Sequence, residues 1–303
     1  MIEIMQHNSV LKKELLDLLD VREDGIYVDA TYGRGGHCGI VLEKISEFGK
    51  VIAFDRDVEA VAHAISEFGH DNRFTINHAK FSSLSNLLPE YRSKINGIYF
   101  DLGLSTPQLD NAARGFSFRN SGILDMRMDQ SSDELSASDW LNGAEEDEIR
   151  EVLINFGEER NAKLIAKKIM DFRKVKMIET THELAQIIRS CIRYRKKNDP
   201  ATLTFQAVRI FINDELNELR EALDFAAELL TIGGKLLVIS FHSLEDRIVK
   251  HRFRYFSRNG LSFDGSNYSY QIVTKKPIRP SEAEKFENVR SRSAKLRVIK
   301  RIQ

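Results

Sequence analysis

The stretch Gly25-Ile26-Tyr27-Val28-Asp29-Ala30-Thr31-Tyr32-Gly33-Arg34-Gly35-Gly36-His37 decides the fold. Its first seven residues form a short apolar run, the pattern of a strand buried on both faces. Three glycines then free the backbone for a tight turn. Beyond the turn, apolar residues recur at helical spacing through Leu42 and Ile45, and Gly49 closes the segment. Working outward, residues 50–55 read as a second strand, 58–68 as a second helix, and 73–77 and 95–101 as two further strands. Strands alternating with helices predict βαβ units and a parallel, doubly wound α/β sheet.

The alternation stops near residue 131. Residues 131–198 are charged and helical in period, with the runs IREVLINF, AKLIAKKIMDF and THELAQIIRSCI. They are expected to form an all-helical insertion, leaving a discontinuous domain of residues 1–130 and 199–303. One long helix is expected over 204–230, its apolar face serving either the core or a homodimer contact. Gly233-Gly234 then leads into a buried strand at 235–241. Residues 270–274 and 295–299 read as an antiparallel pair closing the sheet. There are no internal repeats.

Composition narrows the class. The chain has 303 residues, 42% hydrophobic and 30% charged, with 17 glycines and only 5 prolines, which excludes collagen-like, coiled-coil and largely disordered chains. Its 2 cysteines, Cys38 and Cys191, are far apart, so neither a disulfide scaffold nor a structural zinc site is expected. No run approaches the roughly 20 apolar residues of a membrane span. Charges interrupt the first apolar positions, unlike a signal peptide, so a cytoplasmic protein without a membrane partner is expected. Lys plus Arg and Asp plus Glu both number 45, and no global polycation exists. Charge is nevertheless segregated: acids dominate 133–159, while Arg189, Arg193, Arg195, Lys196 and Lys197 cluster, as do the bases of 290–301. Such clusters suit either phosphate contacts or a solvated face or basic edge strand.

In an open α/β sheet, ligands sit beyond the carboxyl ends of the strands. Gly33, Gly35 and Gly36 follow the first strand, where free N–H groups at a helix start suit an anionic or carboxylate-bearing group. Asp55 ends the second strand, where a carboxylate can accept both hydroxyls of a ribose, and Asp101 ends the fourth. A dinucleotide fingerprint would place a glycine at position 38, where Cys38 stands, and no Gly-Lys-Ser/Thr phosphate loop follows. S-adenosylmethionine fits this pattern better than NAD, although an NAD-dependent oxidoreductase is not excluded by it. Cys38 lacks the Pro-Cys context of a pyrimidine-attacking thiolate, so packing is its expected role.

Nine blocks occur in order along nearly the whole chain: HNSVL (7–11), YVDATYGRGGH (27–37), DLGLSTPQLD (101–110), RGFSF (114–118), LDMRMD (124–129), GEER (157–160), PATLTFQAVRI (200–210), ISFHSLEDR (239–247) and RSRSAKLR (290–297). Together they resemble the bacterial 16S ribosomal RNA cytosine-N4 methyltransferases of the MraW/RsmH family. The resemblance implies a Rossmann-like class I S-adenosylmethionine-dependent methyltransferase domain, interrupted by a helical domain that helps recognise RNA. It implies methylation of the N4 amine of a decoding-centre cytidine in 16S rRNA of the small ribosomal subunit. Cofactor contacts carried over from the family fall on Gly35, Gly36, His37, Asp55, Phe81, Asp101 and Gln108. Ser9, Ile123, Asp199 and Leu203 depart from the family pattern, and the last two remove positive charge beside a segment expected to face RNA. A non-catalytic RNA-binding or ribosome-assembly protein on the same fold is the remaining alternative.

Amino-group methyltransferases commonly carry an acid/amide-Pro-Pro-aromatic loop after the fourth strand. Here Asp101 to Gln108 occupies that place without spelling the motif. Asp101, Ser105 and Pro107 are expected to bind the target amine or orient the methyl donor. His242, after the last parallel strand, is expected either to touch base or phosphate or to cap local backbone. Phe116 and Phe118 suit either stacking on a splayed base or the core. Arg114, Arg127, Arg195 and Arg247 are candidates for RNA phosphates, with ordinary ion pairing as the alternative. Met126 and Met128 read as core fillers.

Overall fold

The computed structural model describes residues 9–192, 199–263 and 265–303. The chain divides into two compact units: one runs up to Gly103 and resumes at Leu216–Gln303, and the other is Leu104–Glu215.

The first unit is built on β1 (Ile26–Asp29), β2 (Lys50–Asp55), β3 (Phe74–His78), β4 (Ile95–Asp101), β5 (Leu230–Ser240), β6 (Leu261–Phe263), β7 (Ser266–Tyr268), β8 (Tyr270–Ile272) and β9 (Lys295–Arg301). Among the described residues, seven strands form one sheet in the order β3-β2-β1-β4-β5-β9-β8, and β6 pairs with β7 as a separate ribbon. The first five strands of that order run parallel, and β9 is antiparallel to both β5 and β8. The doubly wound expectation and the antiparallel closing pair are both realised. One detail differs: β9, with its lysines and arginines, lies inside the sheet rather than at its edge. Its charges are held locally, since Lys295 and Arg297 reach Asp246 at 3.1 and 2.7 Å.

Both faces of the sheet are covered, as near-continuous apolar strands require. One face buries Val28, Ile52, Phe54, Ile98, Phe100 and Val238. The other buries Tyr27, Val51, Ala53, Tyr99, Leu237 and Ile239 with residues of the helices Lys12–Leu19, Gly36–Leu42 and Val58–Phe68.

The second unit packs the helices Ala137–Gly143, Glu146–Gly157, Ala162–Arg173, Thr181–Cys191 and Ala201–Ile212 around Trp140, Leu153, Ile165, Leu184 and Val208. Local signals start these helices: Ser136 with Asp139, and Thr180 with Glu183, form reciprocal capping boxes. The unit is wider than the 131–198 read from the sequence. Phe116, Leu124 and Met126 on one side, and Phe205 and Val208 on the other, bury their side chains in the same core.

The single helix expected over 204–230 is two, Ala201–Ile212 and Glu215–Leu229. Asp214 adopts a left-handed φ of 49°, a conformation that Asp tolerates better than most residues. Buried Asn213 fixes the break: its amide accepts from the Met128 N–H and donates to the Met126 carbonyl, both at 2.8 Å. The apolar faces on either side of the break enter the two cores, through Phe205 and Val208 and through Leu219, Leu223 and Ala226. That face is therefore core.

Candidate active site

The carboxyl ends of β1, β2 and β4 each finish on aspartate. Asp29 stands opposite Ala53 and Tyr99 in the parallel register. Asp55 and Asp101 lie two residues beyond those partners, so the pleat puts all three carboxylates on one face. Because β1 lies between β2 and β4, Asp29 sits centrally and one step behind the other two.

The glycine turn closes over these tips. Gly33 and Gly35 have φ of 57° and 71°, where a side chain is strained. A Cβ on Gly35 would also lie 2.6 Å from the Tyr32 hydroxyl. The turn is tied down from below: Tyr32 N–H donates to the Phe54 carbonyl at 2.9 Å and Gly33 N–H to Asp55 Oδ2 at 2.7 Å. Asp55 Oδ1 accepts the Asp57 N–H at 2.9 Å. Thr31 ties β1 and β4 to the turn, its N–H donating to Asp29 Oδ1 at 3.1 Å and its Oγ1 accepting the Asp101 N–H at 2.6 Å.

Burial dominates the electrostatics of the cluster. It pushes the Asp29 carboxyl up to about 8, helped by the charges of Asp101 and Asp55 and opposed by the Thr31 N–H. Burial likewise pushes Asp101 up to about 7, with Glu245 adding like charge and the Gly103 N–H opposing. Asp55 is raised by burial to about 6 against the N–H groups of Asp57 and Gly33. Asp101 Oδ1 is buried and makes no hydrogen bond. His37, also buried, donates its Nε2–H to the Val10 carbonyl at 3.0 Å and holds Nδ1 3.6 Å from Asp101 Oδ2. Phe81 follows β3 and packs edge-on against Phe100 with centroids 5.6 Å apart.

Gly33, Gly35, Gly36, His37, Asp55 and Asp101 thus meet at one rim of the first unit. Ser105, Pro107 and Gln108 open the second unit, where Gln108 Oε1 accepts the Ser105 N–H at 2.9 Å in a capping box of the helix Thr106–Asp110. His242 is a cap: its Nδ1 accepts the Glu245 N–H at 3.4 Å at the start of the helix Ser243–Asn259.

The phosphate and stacking candidates need correction. Arg114 is 2% exposed, and its guanidinium donates to the Met128 carbonyl at 2.8 Å inside the second unit. Arg127 pairs with Asp125 at 2.9 Å and donates to the carbonyls of Ser132 and Glu134. Both side chains are spent bracing their own loop. Phe116 is buried in the helical core, and Phe118 packs edge-on to Phe205 at 4.8 Å beneath the Arg189 guanidinium. Neither is a free stacking platform. Asp199 pairs with Arg189 at 2.7 Å and accepts the Ala201 N–H, which accounts for an acid there. Arg193, Arg195, Lys196 and Lys197 lie outside the described residues. Arg247 is exposed on the helix Ser243–Asn259. Cys38 is fully buried and its thiol is pushed well up by that burial, as suits packing rather than nucleophilic attack.

Asp29 and Thr31 were not among the site residues expected from sequence. The signal was present in spacing: an acid ending a buried strand directly before a glycine turn, in step with Asp55 and Asp101.

A parallel sheet of this strand order, a glycine turn over β1 and acidic strand tips define the class of Rossmann-like S-adenosylmethionine-dependent methyltransferases. Within that class the chain belongs to the MraW methylase family, whose description matches residues 4–302. It is 46% identical over 304 aligned residues to the ribosomal RNA small subunit methyltransferase H of Coxiella burnetii (strain Dugway 5J108-111), covering 98% of this chain and 99% of that relative. The relatives of the same name from Ruthia magnifica and Thioalkalivibrio sulfidiphilus are each 44% identical, over 96% and 98% of this chain and 97% of their own lengths. Among solved structures, a putative rRNA-methylase from Clostridium thermocellum covers 98% of this chain and 100% of its own at TM-score 0.45 and 13% identity, too distant a likeness to add to this. Family membership replaces the dinucleotide alternative with S-adenosylmethionine as the cofactor. No helix among the described residues is long and apolar enough to cross a membrane.

Proposed function

We propose that this protein methylates the exocyclic N4 amine of a cytidine in the 16S rRNA of the small ribosomal subunit, using S-adenosylmethionine. The observation that carries the reading is Asp101: a carboxylate at the tip of β4 with one buried oxygen unpartnered, on the same rim as the glycine turn that follows β1. An orphaned buried acceptor is costly unless a ligand completes it.

The residues present fit the cofactor. Gly35 and Gly36 bring bare backbone to it, and Asp55 has a lone pair left for the ribose hydroxyls after accepting the N–H groups of Gly33, Asp57 and Arg56. Asp101, with His37 held at its side, supplies negative charge toward the cationic end, and Phe81 completes the proposed contacts of this unit. When bound, S-adenosylmethionine supplies an electrophilic methyl group on a sulfonium.

The cytosine amine is a poor nucleophile because its lone pair is delocalised into the ring. Acceptors that take its N–H bonds favour a pyramidal nitrogen, and Asp101 is assigned that work. Catalysis of this kind is mainly positioning and electrostatic preorganisation. No strong general base is required, because the methylated ammonium is acidic enough to lose its proton to water. Residues 104–215 are proposed to recognise RNA, and the small subunit is the proposed partner; a second copy of this chain is not required.

The test is methyl transfer to small ribosomal subunits from cells lacking this enzyme, followed by nucleoside mass spectrometry. N4-methylcytidine forming with the wild type and not with Asp101→Ala supports the reading. Transfer to another base, or none with a protein that binds S-adenosylhomocysteine, overturns it.

A further inference from the structure

The helix Ser243–Asn259 presents two different faces. Val249, Phe253 and Phe256 are buried in the core beneath the sheet. On the opposite side Arg247, His251, Arg254 and Arg258 are exposed. Their spacing of four, three and four residues confines them to an arc of about 60° over about 16 Å of helix. From Arg247 to Asn259 the sequence contains no acid. Asp246, just before the stripe, pairs with Lys295 and Arg297, and Asp224 pairs with Arg252. Beside the stripe, Tyr255 is 47% exposed and lies under the Arg252 guanidinium at 5.0 Å.

This helix starts immediately beyond β5, whose Ile239 is the register partner of Asp101. The stripe therefore leads away from the same rim that carries the acidic strand tips. A line of three exposed arginines and a histidine with an interleaved aromatic suits one occupant, a nucleic-acid strand whose phosphates meet the guanidinium groups while a base rests on the ring.

We propose that Arg247, His251, Arg254 and Arg258 form a rail for the backbone of the RNA flanking the target nucleotide, with Tyr255 as a stacking surface. The inference rests on the reading that the substrate is RNA. It adds a docking surface on the catalytic unit, separate from any on residues 104–215.

The experiment compares wild type with Arg254→Gln/Arg258→Gln, Arg254→Glu/Arg258→Glu and the charge-retaining Arg254→Lys/Arg258→Lys. Methylation of purified small subunits is followed across a salt series, and S-adenosylhomocysteine binding and thermal unfolding serve as controls. The glutamine pair is expected to raise KM for subunits about tenfold and to flatten the salt dependence by about one to two contacts. The glutamate pair is expected to do more, and the lysine pair to keep the wild-type slope, all with cofactor binding intact. A glutamate pair that folds, binds S-adenosylhomocysteine and shows unchanged KM and salt slope overturns the rail. If the wild type methylates no RNA, the proposed function fails instead. The rail is then judged by direct binding of purified 16S rRNA, where equal affinity of wild type and glutamate pair overturns it. Loss of binding to phosphatidylglycerol vesicles with RNA affinity unchanged overturns the assignment to RNA.

Discussion

The main-chain N–H of Asp101 donates to the hydroxyl of Thr31 at 2.6 Å, which ties the tip of β4 to the turn that follows β1. Removing that acceptor strands a backbone donor, at a cost of about 1–3 kcal/mol. Thr31→Val is therefore expected to lower the unfolding temperature and to reduce kcat at least tenfold by loosening Asp101. Thr31→Ser keeps the hydroxyl and is expected to restore most of kcat. Steady-state kinetics on both variants check this; equal kcat in Val and Ser variants would contradict it.

Asp55 and Asp101, raised to about 6 and 7, make cofactor affinity depend on pH. A cationic ligand favours their ionised forms, so binding releases protons wherever the free carboxyls are partly protonated. Affinity for S-adenosylmethionine is expected to fall as pH drops from 8 to 5. Calorimetry in two buffers of different ionisation enthalpy should register proton release near pH 6 to 7. A flat affinity across that range would count against the charge arrangement.

Asp29 carries the largest upward shift of the three tips, to about 8. A carboxyl whose folded value lies above its unfolded value supports folding below the unfolded value, and that support is lost as pH rises through the folded value. Stability therefore falls as pH rises from about 4 to 8, and the full cost of the ionised buried acid is present above that. Asp29→Asn keeps an acceptor for the Thr31 N–H and removes that cost. It is expected to raise stability by about 1–3 kcal/mol at pH 8 with little change at pH 4, and to weaken activity. Thermal melts at the two pH values decide; destabilisation at pH 8 would refute the sign.

Arg127 separates bracing from recognition. Its guanidinium holds Asp125 and two carbonyls of its own loop. Arg127→Ala is expected to cost about 2 kcal/mol, as loss of a charged hydrogen-bond network does, without changing the salt slope of RNA methylation. A stable variant with a reduced slope would return Arg127 to the phosphate contacts.

The sheet was legible because its strands are short apolar runs closed by acids and glycines, and β4 ends at Asp101 as read. The break at Asn213-Asp214 was hidden because apolar periodicity continues through it, while the bonds from Asn213 to Met126 and Met128 are long-range. The width of the helical unit was hidden for a related reason: 104–130 has little helix, so nothing local announces that Leu124 and Met126 belong to a helical core. The glycines and acidic tips were readable because they act through backbone geometry. Charged side chains such as Arg114 and Arg127 were not, since the same residue type serves phosphate and carbonyl alike. Asp29 was missed because it looked like the end of a strand, and only the register reveals its neighbours.

The most direct measurement is nucleoside mass spectrometry of 16S rRNA from cells with and without this gene. N4-methylcytidine should be present in the first and absent in the second, and return when the gene is restored but not its Asp101→Ala form. An unchanged nucleoside profile on deletion would contradict the assignment of this chain to that methyl transfer.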